Sequence, residues 1–265
     1  MDNTTALPSL FLSHGSPMLA VEDSPTGRFL DRLSGLLPRP SAIVVASAHF
    51  IHARPTVTAT PSPGTIHDFG GFPPALYDIR YPATGAPALA TDVAARLTAA
   101  GFDARLDDRH GLDHGVWVPL HRMYPAADLP VVALSVNPAR GADWHYRLGL
   151  ALAPLRAQGV LVIGSGGFSH NLRALDWQHG DAPAFPWVDT FTHALRERLL
   201  VGDIEGALDW QSLPEAQRNH PTPEHLYPLY VALGAGGVGA RARLLHRDME
   251  MGGLALDAFA FDNNT

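Results

Sequence analysis

Three apolar runs in this chain each lead into a histidine, and that recurrence limits the possible fold more than any other feature. Residues 160–163 open the stretch VLVIGSGGFSHNL with four uncharged side chains of the kind found in a strand buried on both faces. The glycines at 164–167 are expected to break that strand sharply, which leaves His170 just past the carboxyl end of a central strand. Residues 10–12 lead in the same way into Ser13-His14-Gly15-Ser16-Pro17, and residues 42–48 lead into His49. In an open α/β sheet, ligands bind in the crevice beyond the carboxyl ends of the strands. Three strands can therefore deliver three histidines to one place.

The rest of the chain alternates strands with helices. Apolar positions at helical spacing predict a helix over 26–37, ended by Pro38 and Pro40, and the strand at 42–48 then closes a β-α-β unit. A helix is expected over 86–100 with Gly101 as its stop, a strand over 129–136, a helix over 142–158, and further helices over 187–200 and 204–210. Thr222, Pro223 and Glu224 have the residue types of a helix N-terminus and predict a last helix running to about Leu233. The tail at 240–261 has room for one or two edge strands. Between 51 and 81 the chain is rich in Pro, Gly and Thr, and its IHDFGGFPP segment reads as a long loop, which in a compact domain is usually functional. The expected architecture is a single α/β domain over 1–265, with a central mostly parallel or mixed sheet flanked by helices on both faces.

Composition removes whole classes of chemistry. The 265 residues contain no cysteine, which excludes disulfides, thiolate nucleophiles, iron–sulfur clusters and thiolate zinc sites. All 19 basic residues are arginine, so Schiff-base enzymes, pyridoxal-phosphate enzymes and the P-loop lysine are excluded as well. The 14 histidines are the remaining nitrogen ligands and proton carriers near neutral pH. A net charge of −7 with no basic run argues against a nucleic-acid partner. No stretch approaches the roughly 20 apolar residues that span a bilayer, and MDNTTALPSL lacks the marks of a leader, so no membrane partner and a cytoplasmic location are expected. Nothing reads as a coiled coil or an apolar dimer face; monomer and homodimer both fit.

A lone histidine after a strand is more often a satisfied polar side chain at a sheet edge. Three such placements, at His14, His49 and His170, favour a mononuclear metal site instead. His225, in the first turn of the last predicted helix, is where the dipole keeps an imidazole neutral, with Glu224 as the competing ligand. Two histidines and a carboxylate would suit non-haem Fe(II), whereas an all-histidine set suits zinc as well as iron. His114, beside Asp113, is a candidate acid or base, while His67, beside Asp68, is expected to be structural. Phe69, Phe72, Tyr77 and Tyr81 are candidates for an aromatic pocket, and core packing explains them equally well. The glycine run at 164–167 is better explained as backbone room near the site than as a phosphate cradle, since no lysine assists it.

Taken together, HGSPM at His14, SAHF at His49, TIHDFGGFP from Thr65, YP at Tyr81, DHGVW from Asp113, SHNLR at His170 and NHPTPEHLYPL around His225 resemble the class III extradiol ring-cleavage dioxygenases. Within them the chain is most similar to the 4,5-DOPA extradiol dioxygenase branch. The resemblance runs in order from Leu10 to Met251. It implies a non-haem Fe(II) enzyme that opens a catechol ring, of DOPA or a related 3,4-dihydroxyphenyl compound, beside its two hydroxyls with O2; on this branch Zn(II) also occupies the site. Carried over by motif, His14, His49 and His225 match the metal ligands, His170 matches an acid/base that can also act as a fourth ligand, and His114 matches a histidine near the substrate hydroxyls. Protocatechuate-cleaving members complete the triad with a glutamate; here Glu224 or His225 does so, and the branch favours His225. Two other functions fit the same ligands: a zinc-dependent hydrolase that makes a hydroxide nucleophile, and a non-catalytic metal-binding protein.

Overall fold

Alternate residues of each apolar run pack into opposite layers, and this period of two organises the molecule. In chain order the structure, a computed structural model describing residues 6–263, runs β1 (Ser9–Ser13), α1 (Pro25–Leu33), β2 (Ala42–Ile51), β3 (Thr56–Thr58), α2 (Pro74–Asp78), α3 (Pro87–Ala99), β4 (Arg105–Asp107), α4 (His114–Met123), β5 (Val131–Val136), α5 (Ala142–Leu152), β6 (Val160–Gly166), α6 (Pro186–Val201), α7 (Ile204–Leu208), α8 (Ala216–Asn219), α9 (Tyr227–Ala235), β7 (Arg241–His246), β8 (Met249–Glu250), β9 (Leu254–Ala255) and β10 (Ala258–Asp262). Eight strands form one mixed sheet in the order β4-β3-β5-β2-β6-β1-β10-β7, and β8 and β9 form a separate hairpin.

The four central strands β5, β2, β6 and β1 are mutually parallel, and β10 and β3 join them antiparallel on either side. Ile43, Val45, Leu161, Ile163, Leu10 and Leu12 face one layer, which α1 and α4 cover through Phe29, Leu30, Val116 and Trp117. Val44, Ala46, Val160 and Val162 face the other, against α3 and α5, and Phe11, Phe259 and Phe261 continue that layer against α6 and α9. The architecture is thus the expected single α/β domain with helices on both faces of a mixed sheet. Among the described residues no helix is long and apolar enough to cross a membrane.

β1 and β2 run parallel in one sheet with α1 between them in the chain, as a β-α-β unit requires, and β6 lies between them and pairs with both. Three sequence expectations are corrected. β6 does not break at Gly164 but continues to Gly166. The reason lies across the sheet: a Cβ on Gly164 would collide with the carbonyl of Pro228, and one on Gly166 with the carbonyl of His225. These glycines are strand residues bared so that α9 and the turn before it can lie on the strand. β2 also runs on to Ile51, so His49 sits inside the strand and not after it. The last helix starts at Tyr227, five residues after Thr222, and no side chain caps it. All nine residues of α9 are buried, which is why an apolar run without one polar face forms a helix here.

Candidate metal centre

β1, β6 and β2 are adjacent and parallel, so their carboxyl ends lie side by side, and each carries or precedes a histidine. Ser13 closes β1 by donating its N–H and Oγ–H to the carbonyl of Asp257, at 3.2 and 2.9 Å. The next residue, His14, is pinned by its own N–H on Gly166 of β6 at 3.0 Å. In β2 the register against β5 slips between Ser47 and Ile51. Irregularities of this kind re-aim side chains, and His49 lies within this one. His225 approaches from the other side of the sheet, in the turn before α9, where its carbonyl accepts from Gly167 N at 2.8 Å.

These three side chains meet. Nε2 of His49 lies 3.1 Å from Nε2 of His14 and 3.2 Å from Nε2 of His225. Behind each ring stands a partner for Nδ1. Ser165 gives its own hydroxyl proton to the carbonyl of Gly115, so it can only accept from His14 Nδ1, at 3.0 Å. Asp68 Oδ2 faces His49 Nδ1 at 3.3 Å, and Glu224 Oε1 faces His225 Nδ1 at 3.2 Å; carboxylates offer only lone pairs. All three imidazoles are thereby assigned the tautomer with hydrogen on Nδ1, which leaves three Nε2 lone pairs directed at one another. Three converging lone pairs repel unless a cation lies between them, and ring N–H groups held by carboxylates or hydroxyls are the usual support of metal-binding histidines. The donor set therefore fits a divalent metal.

Electrostatics agree with the geometry. Burial, followed by the neighbouring imidazoles, holds His14 and His225 well below the usual histidine range. Burial and His114 lower His49 to about 3, against the opposing pull of Asp68 and Glu224. The dipole expectation for His225 is replaced by this cause: the residue precedes the helix, and Thr222 spends its hydroxyl on Glu224 at 2.9 Å instead of capping. Neutral rings are what ligation requires.

The remaining candidates surround this triad. His114 is the first residue of α4, and both its N–H and its Nδ1 lie 2.9 Å from Asp68 Oδ1. Burial pushes the Asp68 carboxyl up, but the hydrogen bonds and charge of His114, with His49, outweigh it and bring the group to about 2. A single carboxylate thus orients two rings whose centroids are 3.9 Å apart. His170 lies four residues past β6, its N–H donating to Asn219 O at 3.0 Å and its ring stacked on His225 at 3.4 Å and 7°. Burial lowers it to about 4. His67 turns away, with Nε2 3.1 Å from the carbonyl of Ile79. The aromatic set divides: Phe69 and Phe72 line the cavity, Tyr77 packs on Phe69, and Tyr81 is 1% exposed in the core.

Two contributors escape sequence reasoning. Asp68 follows His67 and is set aside with it, yet it partners His114 across 46 residues. Ser165 is hidden inside a glycine run that reads as spacing. A cavity of about 320 Å3 opens over the cluster, lined by all five histidines, Phe69 and Phe72. That volume lies in the range of small-molecule sites.

Residues 8–254 match the family described as the catalytic LigB subunit of aromatic ring-opening dioxygenase. A 4,5-DOPA dioxygenase extradiol of Escherichia coli (strain K12) is 42% identical over 258 residues, covering 96% of this chain and 94% of the relative. One from Beta vulgaris is 40% identical over 262 residues and covers 96% of each. A dioxygenase of Hapsidospora irregularis is 35% identical over 251 residues, with 86% and 78% covered. The crystal structure of an uncharacterized protein from Escherichia coli K12 superimposes with a TM-score of 0.82 at 36% identity, over 96% of this chain and 99% of that one.

Proposed function

The chain belongs to the family of the catalytic LigB subunit of aromatic ring-opening dioxygenases, non-haem metal-dependent enzymes, and from that premise we propose that it opens the ring of a catechol, DOPA or a related 3,4-dihydroxyphenyl compound, with O2. The carbon–carbon bond broken is the one beside the two hydroxyls, and both oxygen atoms enter the product. The observation that carries this reading is the convergence of three unprotonated Nε2 atoms at 3.1 and 3.2 Å beneath a cavity with aromatic walls. The catalytic unit is taken as the single domain over 1–265.

His14, His49 and His225 would hold the metal, Fe(II) for activity, with Zn(II) able to take the same place. When bound, the metal supplies the positive charge against which two catechol oxygens and O2 are brought together. Glu224 supports His225 through Nδ1, which favours the histidine over the glutamate as third ligand. His170 stands parallel to His225 with its ring against the cavity, a placement suited to taking and returning a proton, and less to sharing the ligands' focus. Burial keeps the ring neutral near pH 7, so its lone pair is available to the substrate. His114 is turned by Asp68 so that Nε2 is its free nitrogen, suited to accept a hydrogen bond or a proton from the second catechol hydroxyl.

The test is anaerobic reconstitution of the metal-free protein with Fe(II) or Zn(II), followed by DOPA and air. Iron-dependent O2 uptake with a yellow ring-opened product is the expected outcome. Silence with both metals across several catechols would remove the dioxygenase assignment, and O2-independent turnover with zinc would replace it by a hydrolase.

A further inference from the structure

Apart from its histidines, the cavity is lined by one side-chain proton that no protein group receives. Ser169 Oγ donates to Gly253 O at 2.7 Å and accepts from Ala255 N at 2.8 Å, Trp177 Nε1 donates to Leu172 O at 3.2 Å, and Asp68 is a carboxylate that serves His49 and His114. Ser16 is the exception. Its Oγ accepts from Met18 N at 3.2 Å, and among the described residues it donates to nothing. That proton is free for a ligand. Ser16 also stands where the cavity opens outward, since with Phe72, Trp177 and Met251 it is shared with an adjoining groove. A catechol whose hydroxyls meet the histidines would bring its ring substituent to this passage.

On the groove side the complementary group is Glu250. Its Oε2 lies 3.9 Å from where a Cβ on Gly15, the residue before Ser16, would stand. The carboxyl is half-buried, and among the described residues no hydrogen bond or ion pair engages it. The groove's other carboxyls are placed differently. Glu22, Asp23 and Asp181 are exposed, Asp23 is paired with Arg28, and Asp248 accepts from Thr26 Oγ1 and Met249 N, both at 2.9 Å. Burial, with repulsion from Glu22 and Asp248, pushes Glu250 up to about 7, as expected of a carboxyl that lacks a cation.

An unspent donor and an unspent acceptor at one mouth complement a carboxylate and an ammonium borne on one carbon. Resting on the catechol-cleaving reading above, we propose that Ser16 and Glu250 receive an α-amino acid group at the end of the ring substituent: the Ser16 hydroxyl donates to its carboxylate, and the Glu250 carboxylate accepts from its ammonium. The ammonium also offsets the repulsion between the groove's carboxyls and the incoming carboxylate.

The experiment measures kcat/KM on the iron-loaded protein for four catechols: DOPA, dihydroxyphenylpropanoate, which lacks the ammonium, dihydroxyphenethylamine, which lacks the carboxylate, and propylcatechol, which lacks both. DOPA should exceed each of the others in the parent protein, and propylcatechol by at least ~10-fold. Ser16→Ala should lower DOPA and the propanoate ~10-fold relative to the amine and propylcatechol, mostly through KM, and Ser16→Thr, which keeps the hydroxyl, should restore the ratio. Glu250→Gln should give the crossed pattern, lowering DOPA and the amine relative to the other two. Losses shared equally by all four compounds, as from a disturbed turn, or ratios that do not change, would overturn the proposal. Anaerobic calorimetric titration of the same compounds into the Fe(II)- or Zn(II)-loaded protein separates it from the ring-cleaving reading. The crossed pattern in affinity without O2 uptake would keep the amino acid end and remove ring cleavage; turnover without the crossed pattern would keep ring cleavage and remove the amino acid end.

Discussion

At the scale of single residues, the centre is defined by which nitrogen of each ring carries the proton. Ser165, Asp68 and Glu224 each occupy the Nδ1 side, so the three Nε2 atoms are left as a matched set. Removing a member should remove the metal. His14→Ala, His49→Ala and His225→Ala are each expected to lose metal on dialysis, whereas His170→Ala keeps part of it and loses turnover by ~10²- to 10⁴-fold. Metal analysis beside O2 uptake checks both halves, and stoichiometric metal in any of the first three variants would take that residue out of the ligand set. Asp68→Asn tests support and not ligation, because an amide oxygen can still accept one bond but the charge that orients both His49 and His114 is gone. A loss of ~10- to 100-fold in metal affinity or activity is expected. An unchanged affinity and rate would mean that the rings are held by packing alone.

Elements bring these residues together, and here sequence and structure part company in instructive places. The runs leading to His14, His49 and His170 are readable as buried strands because their side chains are uncharged and mostly apolar, and the structure sets them in adjacent parallel strands. The end of β6 is not readable. Gly164 and Gly166 look like a break, because what they accommodate is α9 and the turn before it, 64 and 59 positions away in the chain. β4, with Leu106 alone between Arg105 and Asp107, is too short for any alternation to register. Thr222 has the residue type of a cap, but its hydroxyl is spent on Glu224, and only the tertiary structure reveals that. Asp68 and Ser165 were invisible for the same reason, since their value lies in contacts with distant rings. The glycine argument can be tested directly. Gly164→Ala places a methyl group against the Pro228 backbone and should destabilise the protein by about 1–3 kcal/mol by overpacking, read as a lower Tm. Because α9 follows His225 directly, metal affinity should fall with it; a variant as stable as the parent would show that α9 can move off the strand at no cost.

Across the whole molecule, burying so many histidines makes stability depend on pH in a direction that can be worked out. His49, His145, His170 and His220 are lowered to about 3, 4, 4 and 3, with burial the largest cause for each, and His14 and His225 are also well below 6.5. In the unfolded chain each regains the ordinary value of 6.5, so below that pH the unfolded state binds protons that the folded state refuses. These groups leave stability whole above about 6.5 and withdraw it as pH falls toward 3 to 4, each by up to ~1.4 kcal/mol per pH unit. Carboxyls raised by burial oppose this. Asp113 at about 6 and Glu250 at about 7 take up protons in the folded state over the same interval and favour it as pH falls, and Asp257 is raised in the same direction. Six histidines outweigh three carboxyls. The metal-free protein should therefore lose Tm steadily between pH 7 and pH 5. A loaded metal raises stability by binding the folded state alone, and protons compete with it for His14, His49 and His225. The gap in Tm between metal-loaded and metal-free protein should then narrow over the same interval. Thermal melts of both forms across that range decide the matter: a metal-free Tm that is flat or rises on acidification would mean that the carboxyls dominate, and a gap independent of pH would mean that the metal is not held by titratable imidazoles.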